Sequence, residues 1–157
     1  MTTHDKSFEE RNSRGSLAEN HCRYFMNKEN WEWFRLGFDM IDSKVPKEIF
    51  WKIPKILRSL PDFIVVGSNK EPFPFMLEVK GGKDVINFKK VDFVSYCDLS
   101  NKLKICIYFY FYFSTFNKAK LVRIDLLDKM IKYDDVKSGV IGQRNKPVWI
   151  LEYDKLW

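Results

Sequence analysis

The fold is decided by residues 61–82, with the sequence PDFIVVGSNKEPFPFMLEVKGG. The apolar runs at the two ends of this stretch predict short strands joined by a loop. Ionisable side chains interrupt both runs: Asp62 in the first, and Glu78 with Lys80 in the second. Charged groups in otherwise apolar strands need compensating partners. These three side chains are therefore the first candidates for functional residues.

Strand geometry predicts that the three side chains meet. Side chains alternate between the faces of a strand, so Glu78 and Lys80 share one face. If the two strands pair antiparallel about a loop centred near Glu71, Asp62 falls opposite Lys80 and diagonal to Glu78. Two carboxylates and one ammonium then lie in one small space. Carboxylates placed in this way can hold a hard divalent cation through their oxygen atoms.

At these residues the chain resembles the PD-(D/E)xK nuclease superfamily. Pro61 and Asp62 match the first half of the motif, and Glu78, Val79 and Lys80 match the second, with a glycine after the lysine. The resemblance implies that Asp62 and Glu78 bind magnesium, for which manganese would substitute, and that Lys80 positions or activates the hydrolytic water. It also implies that the main-chain carbonyl of Val79 touches the metal. Magnesium is favoured over zinc because the ligands are oxygen atoms, without a histidine or cysteine cluster.

Two of these assignments have a plainer structural alternative. Glu78 and Lys80 could be a surface pair on an exposed hairpin, because a short motif specifies function only loosely. Upstream, Ser16 and Glu19 have capping-box spacing, which predicts a helix beginning at Ser16 with Glu19 at its N3 position. Members of this superfamily commonly place a glutamate from the first helix beside the metal, so the resemblance implies instead that Glu19 is an active-site acid. Both alternatives for Glu19 stay open at the level of the sequence.

Composition is consistent with one basic domain. The 157 residues suit a single domain with a substantial core; we expect a flexible N-terminal arm over residues 1–14 and a nuclease-like domain over residues 15–157. A net charge of +6, spread over many lysines, favours a polyanionic partner such as DNA. Three widely spaced cysteines predict reduced thiols in a cytoplasmic protein, and no apolar run is long enough for a membrane helix. Scarce alanine beside plentiful lysine, asparagine and phenylalanine weakly indicates an AT-rich gene, as in many phages.

Basic side chains lie close to the predicted site in sequence. Three precede Asp62, in a segment that two prolines limit to short helical turns. Two more lie in a helix predicted over residues 84–97, with Asp84 as its N-cap. Such a basic surface is well placed to meet a phosphate backbone, although lysines in the first segment could also simply cover its aromatic rings. The candidate DNA-contacting residues are Lys52, Lys55, Arg58, Lys89 and Lys90.

The remaining pattern predicts an α/β fold. Residues 103–113 form the clearest central strand, because both of its faces are apolar enough to be covered. We also predict strands over residues 30–37, 121–124 and 147–153, a helix over residues 126–133 capped by Asp125, and a turn or loop over residues 138–146. This order of elements, together with the resemblance, predicts a restriction-endonuclease-like mixed central sheet flanked by helices.

The resemblance implies a magnesium-dependent DNA endonuclease that hydrolyses phosphodiester bonds. Asp92 and Tyr96 have the spacing of a Gln-x-x-x-Tyr pair found in some of these nucleases, but the missing glutamine counts against the helicase-associated exonuclease branch. The small size favours a structure-selective or nicking enzyme of the junction-resolvase kind, for which the resemblance suggests a homodimer. A small restriction-type endonuclease is one alternative. A non-catalytic DNA-binding protein that retains the nuclease fold is the other.

Overall fold

The computed structural model describes residues 3–37, 46–72, 74–133 and 135–156. The helices are α1 (Thr3–Lys28), α2 (Lys47–Phe50), α3 (Lys55–Arg58), α4 (Lys90–Leu103) and α5 (Ile124–Lys132). The strands are β1 (Glu32–Arg35), β2 (Phe63–Gly67), β3 (Phe75–Gly82), β4 (Val85–Lys89), β5 (Cys106–Phe113), β6 (Lys118–Arg123), β7 (Lys137–Ile141) and β8 (Lys146–Glu152).

The strands form two sheets. The larger sheet has the order β1-β2-β3-β5-β6, in which β3 and β5 run parallel and the other neighbouring pairs are antiparallel. The smaller sheet has the order β4-β8-β7 and is antiparallel. Helices α4 and α5 contribute to the apolar cluster on one face of the larger sheet, and α1 contributes to the cluster on the other. The predicted mixed central sheet flanked by helices is thus confirmed.

Strand β5 is covered on both faces. Its phenylalanines lie in the apolar cluster that includes α4 and α5, whereas its buried tyrosines lie in the cluster that includes α1. Aromatic and β-branched residues suit a strand that has no solvent face. The predicted central strand is therefore confirmed, although it begins at Cys106.

The helix predicted over residues 84–97 is wrong in its first part. Val85 to Lys89 form β4, which pairs with β8, and α4 begins only at Lys90. In β4 the buried Ile86 and Phe88 alternate with exposed neighbours, which is the period of a strand. Asp84 therefore does not cap a helix.

Helix α1 begins at Thr3, well before Ser16. Ser16 lies inside the helix and cannot be its N-cap, so the capping-box interpretation of Glu19 is wrong. The helix is held on the larger sheet by its buried stripe of small and apolar residues, Ala18, Cys22 and Met26. A helical segment can still move as an arm, so the flexible N-terminal arm over residues 1–14 stays a prediction. The single domain over residues 15–157 also stays a prediction.

Two predictions near the C-terminus also need correction. The turn or loop predicted over residues 138–146 is too long: only a tight turn at its centre is present, flanked by most of β7 and the start of β8. Gly142 (φ 72°) and Asn145 (φ 46°) adopt left-handed backbone in that turn. Asp125 does not precede α5 as a cap; it lies in the first turn of that helix and accepts hydrogen bonds from Arg123.

The shorter elements agree with prediction. The segment before Asp62 contains two helices of four residues each, α2 and α3, as its prolines indicated. A short strand, β1, lies within residues 30–37 and pairs with β2.

The chain passes from the larger to the smaller sheet through a tight turn after Gly82. A Cβ atom added at Gly82 would lie 2.1 Å from the carbonyl oxygen of Val85. No side chain fits at that distance, so this close approach of two backbone segments requires glycine. The turn fixes the end of the strand that carries Glu78 and Lys80.

The three cysteines are unpaired, as predicted. Cys22 lies on the buried face of α1. Burial together with the charges of Asp62 and Glu19 raises the pKa of its thiol. In the part of the chain that the structure describes, no helix is long and apolar enough to cross a membrane.

Candidate functional site

Strands β2 and β3 bring the motif residues together. Their antiparallel register pairs Phe63 with Leu77. Continued by one residue, this register places Asp62 opposite Glu78, and not opposite Lys80 as predicted. The error is an even shift along the strand, which keeps the same side chains on the same face of the sheet. The predicted cluster therefore forms in spite of the wrong register.

Glu78 is the buried acid of the site. It is 4% exposed, and its Oε1 accepts a hydrogen bond from the Lys80 ammonium, whose own side chain is 30% exposed. Burial acts to lower the pKa of Lys80, but the carboxylates of Glu78 and Asp62 outweigh it and raise that pKa. The burial of Glu78 contradicts the alternative in which it belongs to a surface pair on an exposed hairpin.

Asp62 is held against β3 by the main chain. Its Oδ2 accepts a hydrogen bond of 2.7 Å from the Val79 N–H. Burial raises the pKa of Asp62 well above its usual range and the charge of Glu78 raises it further, whereas Lys80 and the Val79 hydrogen bond act to lower it. Two carboxylates at such a site disfavour each other's charge, and a cation between them would offset this repulsion.

The backbone of Val79 faces the acids. Its N–H points to Asp62, and in a strand the N–H and C=O of one residue lie on the same side. The carbonyl of Val79 therefore faces the side on which Asp62 lies. Its contact with a metal stays a prediction.

Helix α4 adds a residue that was not among the predicted site residues, Tyr96. Its hydroxyl group lies close to the Glu78 carboxylate, and burial, followed by the charge of Glu78, raises the pKa of that hydroxyl, so that it stays protonated. The ring is fixed by Phe109, with centroids 5.6 Å apart. The spacing of Asp92 and Tyr96 was the available signal in the sequence, but the function of Tyr96 depends on where α4 lies.

Glu19 lies at the edge of the site. Its carboxylate is 3.4 Å from Arg23 and 3.5 Å from Arg35, and its charge raises the pKa of Asp62. Helix α1 therefore brings Glu19 toward the site, but the carboxylate is engaged by two guanidinium groups. Within the described ranges, no group of three or more His, Cys, Asp or Glu side chains is placed to hold a metal ion. A catalytic role for Glu19 stays a prediction.

Two solved structures resemble this arrangement of strands and helices. One is D212, a nuclease from a fusselovirus, with a TM-score of 0.53 and 10% identity over 92% of this chain and 84% of its own. The other is Hjc of Archaeoglobus fulgidus, a Holliday junction resolvase from an archaeal hyperthermophile, with a TM-score of 0.51 and 8% identity over 90% of this chain and 86% of its own. No protein-family model matches the chain, and no curated protein matches it in sequence.

This is a fold that nucleases use. The likeness confirms the predicted fold, a mixed central sheet flanked by helices. Sequence identities this low establish only that the folds are alike. The roles of individual side chains therefore depend on the geometry of this chain.

In the first group of candidate DNA-contacting residues, Lys52 lies in the turn between α2 and α3, and Lys55 and Arg58 lie on α3. Lys52 and Lys55 are exposed and are available to a ligand. Arg58 is engaged within the segment: its Nε donates a 2.9 Å hydrogen bond to the Ile53 carbonyl, and its guanidinium lies 4.7 Å from the centre of the Trp51 ring. Arg58 thus fits the plainer alternative, in which basic side chains cover aromatic rings.

The second group lies where β4 joins α4. Lys89 ends the strand and Lys90 begins the helix that supplies Tyr96 to the site. The Lys90 ammonium donates a 2.6 Å hydrogen bond to Ser138 and lies 3.8 Å from the centre of the Trp149 ring. These contacts tie Lys90 to the smaller sheet, so of the two lysines Lys89 is the better candidate for a phosphate contact.

Proposed function

We propose that this protein is a magnesium-dependent deoxyribonuclease that hydrolyses phosphodiester bonds, and that it acts as a structure-selective or nicking endonuclease of the junction-resolvase kind. The observation that carries the proposal is the convergence of Asp62, Glu78 and Lys80 at one end of the β2–β3 pair. The likeness of the fold to a nuclease and to a Holliday junction resolvase supports the same class.

The donor set of the site fits magnesium. Asp62 and Glu78 offer carboxylate oxygens, which a hard cation prefers, and their mutual repulsion is what a cation would offset. When bound, magnesium or manganese would polarise the scissile phosphate and neutralise charge that develops on it. The carbonyl of Val79 is the proposed additional ligand from the main chain.

The surrounding residues have separate tasks in this proposal. Lys80 holds the Glu78 carboxylate in place through its hydrogen bond, with the protonated Tyr96 hydroxyl beside it, and the Val79 N–H holds Asp62. Supporting contacts of this type orient metal ligands and raise affinity. Lys80 is partly exposed, so its ammonium can also orient an attacking water and stabilise negative charge on the phosphate.

In this proposal, the positive charge of the protein attracts the phosphate backbone of DNA. The net charge of +6 and the exposed Lys52 and Lys55 favour a phosphate backbone, with affinity that falls as salt rises. A homodimer would place two such sites on a symmetric junction, and it stays a prediction. A small restriction-type endonuclease would use the same site and differ in cutting at a fixed sequence.

A non-catalytic DNA-binding protein is the rival function. One observation favours it: the Lys80 ammonium already pairs with Glu78 and lies within the influence of Asp62, so the cluster is partly neutralised without any added cation. In that case the protein would bind DNA without cleaving it.

The decisive experiment is a cleavage assay on supercoiled, linear and branched DNA with magnesium, with manganese and with EDTA. We expect cleavage only with the metals, fastest on branched DNA. Asp62→Asn and Glu78→Gln should each abolish cleavage and leave DNA binding equal or stronger, because each removes negative charge that repels phosphate. Asp154→Asn changes an exposed acid outside the site and is the matched control.

The possible outcomes separate the candidates. Normal cleavage by either site variant would show that the chemistry lies elsewhere. Binding to all three DNAs without cleavage in any metal would favour the non-catalytic rival. Cleavage at one fixed sequence on linear DNA would favour the restriction-type alternative.

A further inference from the structure

The segment before Asp62 presents an exposed aromatic ring, Trp51, in a fixed position. The side chain is 57% exposed. The edge of Phe50 meets its ring at 81° with centroids 5.4 Å apart, and the Arg58 guanidinium lies 4.7 Å from its centre. Arg58 is itself held by its 2.9 Å hydrogen bond to Ile53. Trp51, Phe50 and Arg58 form what we call the aromatic platform, in which the indole is oriented by its own segment while much of it faces solvent.

Charge indicates what this platform meets. The segment over residues 46–59 carries four basic residues and a single acid, Glu48. Lys52 and Lys55, on either side of the α2–α3 turn, are exposed. An aromatic ring flanked by cations suits single-stranded nucleic acid, because a base stacks on the ring and its phosphate meets an ammonium. A purely apolar protein partner would gain nothing from this concentration of positive charge.

The position of the platform relates it to the candidate active site. Arg58 ends α3, and Asp62 follows shortly after in the chain. Helix α3 also lines a groove of about 190 Å³ with α4, the helix that supplies Tyr96 to Glu78. Lys55 and Lys102 belong to opposite walls of that groove. Asp98 of α4 also lines the groove. The segment that carries the platform therefore leads along the chain to Asp62 and packs beside the helix that carries Tyr96.

We propose that Trp51 stacks on an unpaired base of the DNA and thereby makes the protein selective for single-stranded or branched DNA over fully paired duplex. In a duplex both faces of each base are covered by its neighbours, whereas an unpaired base can leave the stack and offer a face to the indole. This inference rests on the proposed function for its ligand, DNA, and does not require that the protein cleave it.

Binding in EDTA tests the inference without any cleavage. The dissociation constants of the wild type, Trp51→Ala and Trp51→Phe are measured for a single strand, a forked DNA with two unpaired single-stranded arms and a fully paired duplex of equal length. Trp51→Ala should weaken binding to the first two by about tenfold, equivalent to about 1.4 kcal/mol and within the ~1–3 kcal/mol of one stacked base. Duplex binding should change by less than about twofold, and Trp51→Phe should retain most of the affinity because a phenyl ring also stacks.

Tyr133→Ala is the matched control. Tyr133 is 78% exposed at the C-terminal end of α5 and belongs neither to the platform nor to the lining of the groove, so its removal should leave all three affinities unchanged. Thermal unfolding checks that Trp51→Ala is folded. If Trp51→Ala is unfolded, the quenching of tryptophan fluorescence by single-stranded DNA is compared between the wild type and Trp51→Phe. We expect less quenching in the variant.

Three outcomes would overturn the inference: an equal loss of affinity for all three DNAs, no loss for any, or an altered oligomeric state of Trp51→Ala with unchanged DNA affinity, which would assign the ring to a protein contact. Failure of the proposed function has a different signature. An inactive wild type, or an active Asp62→Asn, would reject the nuclease site and leave the selectivity of Trp51 for unpaired bases to be judged on its own measurement.

Discussion

Strands β3 and β5 are parallel neighbours with opposite chemistry. Across the ladder Glu78 pairs with Phe109, and Lys80 pairs with Phe111. Both phenylalanines are fully buried among apolar groups, whereas the two charged residues depend on Asp62, Tyr96 and each other for compensation. At these two matching positions, β5 carries core residues and β3 carries residues of the site, although other side chains of β3 also belong to the core.

The side chains at these matching positions of β3 and β5 contribute differently to the stability of the sheet. Burying a phenylalanine contributes favourable free energy in proportion to the apolar area removed from water. Burying an ion pair is close to neutral or costly, because desolvation offsets the attraction. Strand β5 therefore stabilises the sheet in which the charges of β3 are held. Its aromatic side chains also exclude water beside Glu78, which strengthens the electrostatic contacts of that carboxylate.

The largest effect is expected from Phe109→Ala. The side chain is fully buried and lies 5.1 Å from the Phe88 ring, so its removal leaves a cavity in the core. We expect a loss of about 3–5 kcal/mol of unfolding free energy, a large part of the ~5–15 kcal/mol that stabilises a typical domain. Denaturant-induced unfolding measures it, with Phe116→Ala, at a 45% exposed ring, as the control.

The same unfolding measurement on Glu78→Gln makes the comparison of the two strands quantitative. Glutamine keeps an acceptor for Tyr96, and Lys80 retains Asp62 as its counter-charge. We expect a change of about 1 kcal/mol or less, because removing this charge also relieves its repulsion of Asp62 and the cost of burying a carboxylate. A loss as large as that of Phe109→Ala would mean that Glu78 contributes as much to the folded state as Phe109 does.

A smaller effect, on rate, is expected from Tyr96→Phe. The variant keeps the ring that packs on Phe109 and removes only the hydroxyl that lies beside Glu78. Loss of a contact that orients a ligand costs about 10- to 100-fold in metal affinity or activity, whereas stability should fall by only ~1 kcal/mol. Single-turnover cleavage at several magnesium concentrations checks this, with the exposed Tyr24→Phe as the control. An unchanged rate and metal dependence would remove Tyr96 from the site.

The smallest effect is expected from Glu19→Gln. Its ion pairs with Arg23 and Arg35 are partly exposed, so stability should fall by about 0.2–1 kcal/mol. We expect the cleavage rate to fall by less than about tenfold, because the carboxylate is engaged by the arginines and acts on Asp62 only through its charge. Glu29→Gln, at an exposed acid just after α1, is the control. A loss as complete as that of Asp62→Asn would instead establish Glu19 as an active-site acid.

The core of the site was predictable because its residues lie on two strands with a strong apolar pattern. Asp62, Glu78 and Lys80 interrupt that pattern, and alternation alone assigns the face of each. The register was not predictable, since an even shift leaves the pattern intact and only the loop between the strands decides it. Tyr96 was missed for another reason: its role needs the position of α4 relative to β3, which no local pattern contains.

Strand β4 shows where periodicity becomes ambiguous. Ile86 and Phe88 are two residues apart, which is the spacing of a strand. Phe88 is also eight residues before Tyr96, which fits the period of a helix, and both side chains are buried in the same cluster. A short apolar segment satisfies both periods, and the pairing of β4 with β8 decides between them. The hairpin of β7 and β8 was missed because its first strand is largely exposed and carries Gly139.

The tight turn after Gly82 decides where this protein can be labelled or extended. A single methyl group at Gly82 would meet the Val85 carbonyl at 2.1 Å and push β4 away from β3, and the displacement would reach Lys80 in the same strand. The turn at Gly142 in the smaller sheet differs in its surroundings, since an added Cβ there meets nothing within 4 Å and only the backbone, with a φ of 72°, favours glycine. A fluorophore-bearing peptide inserted at that open turn, the usual place where insertions are tolerated, would report on DNA binding while leaving the candidate nuclease site undisturbed.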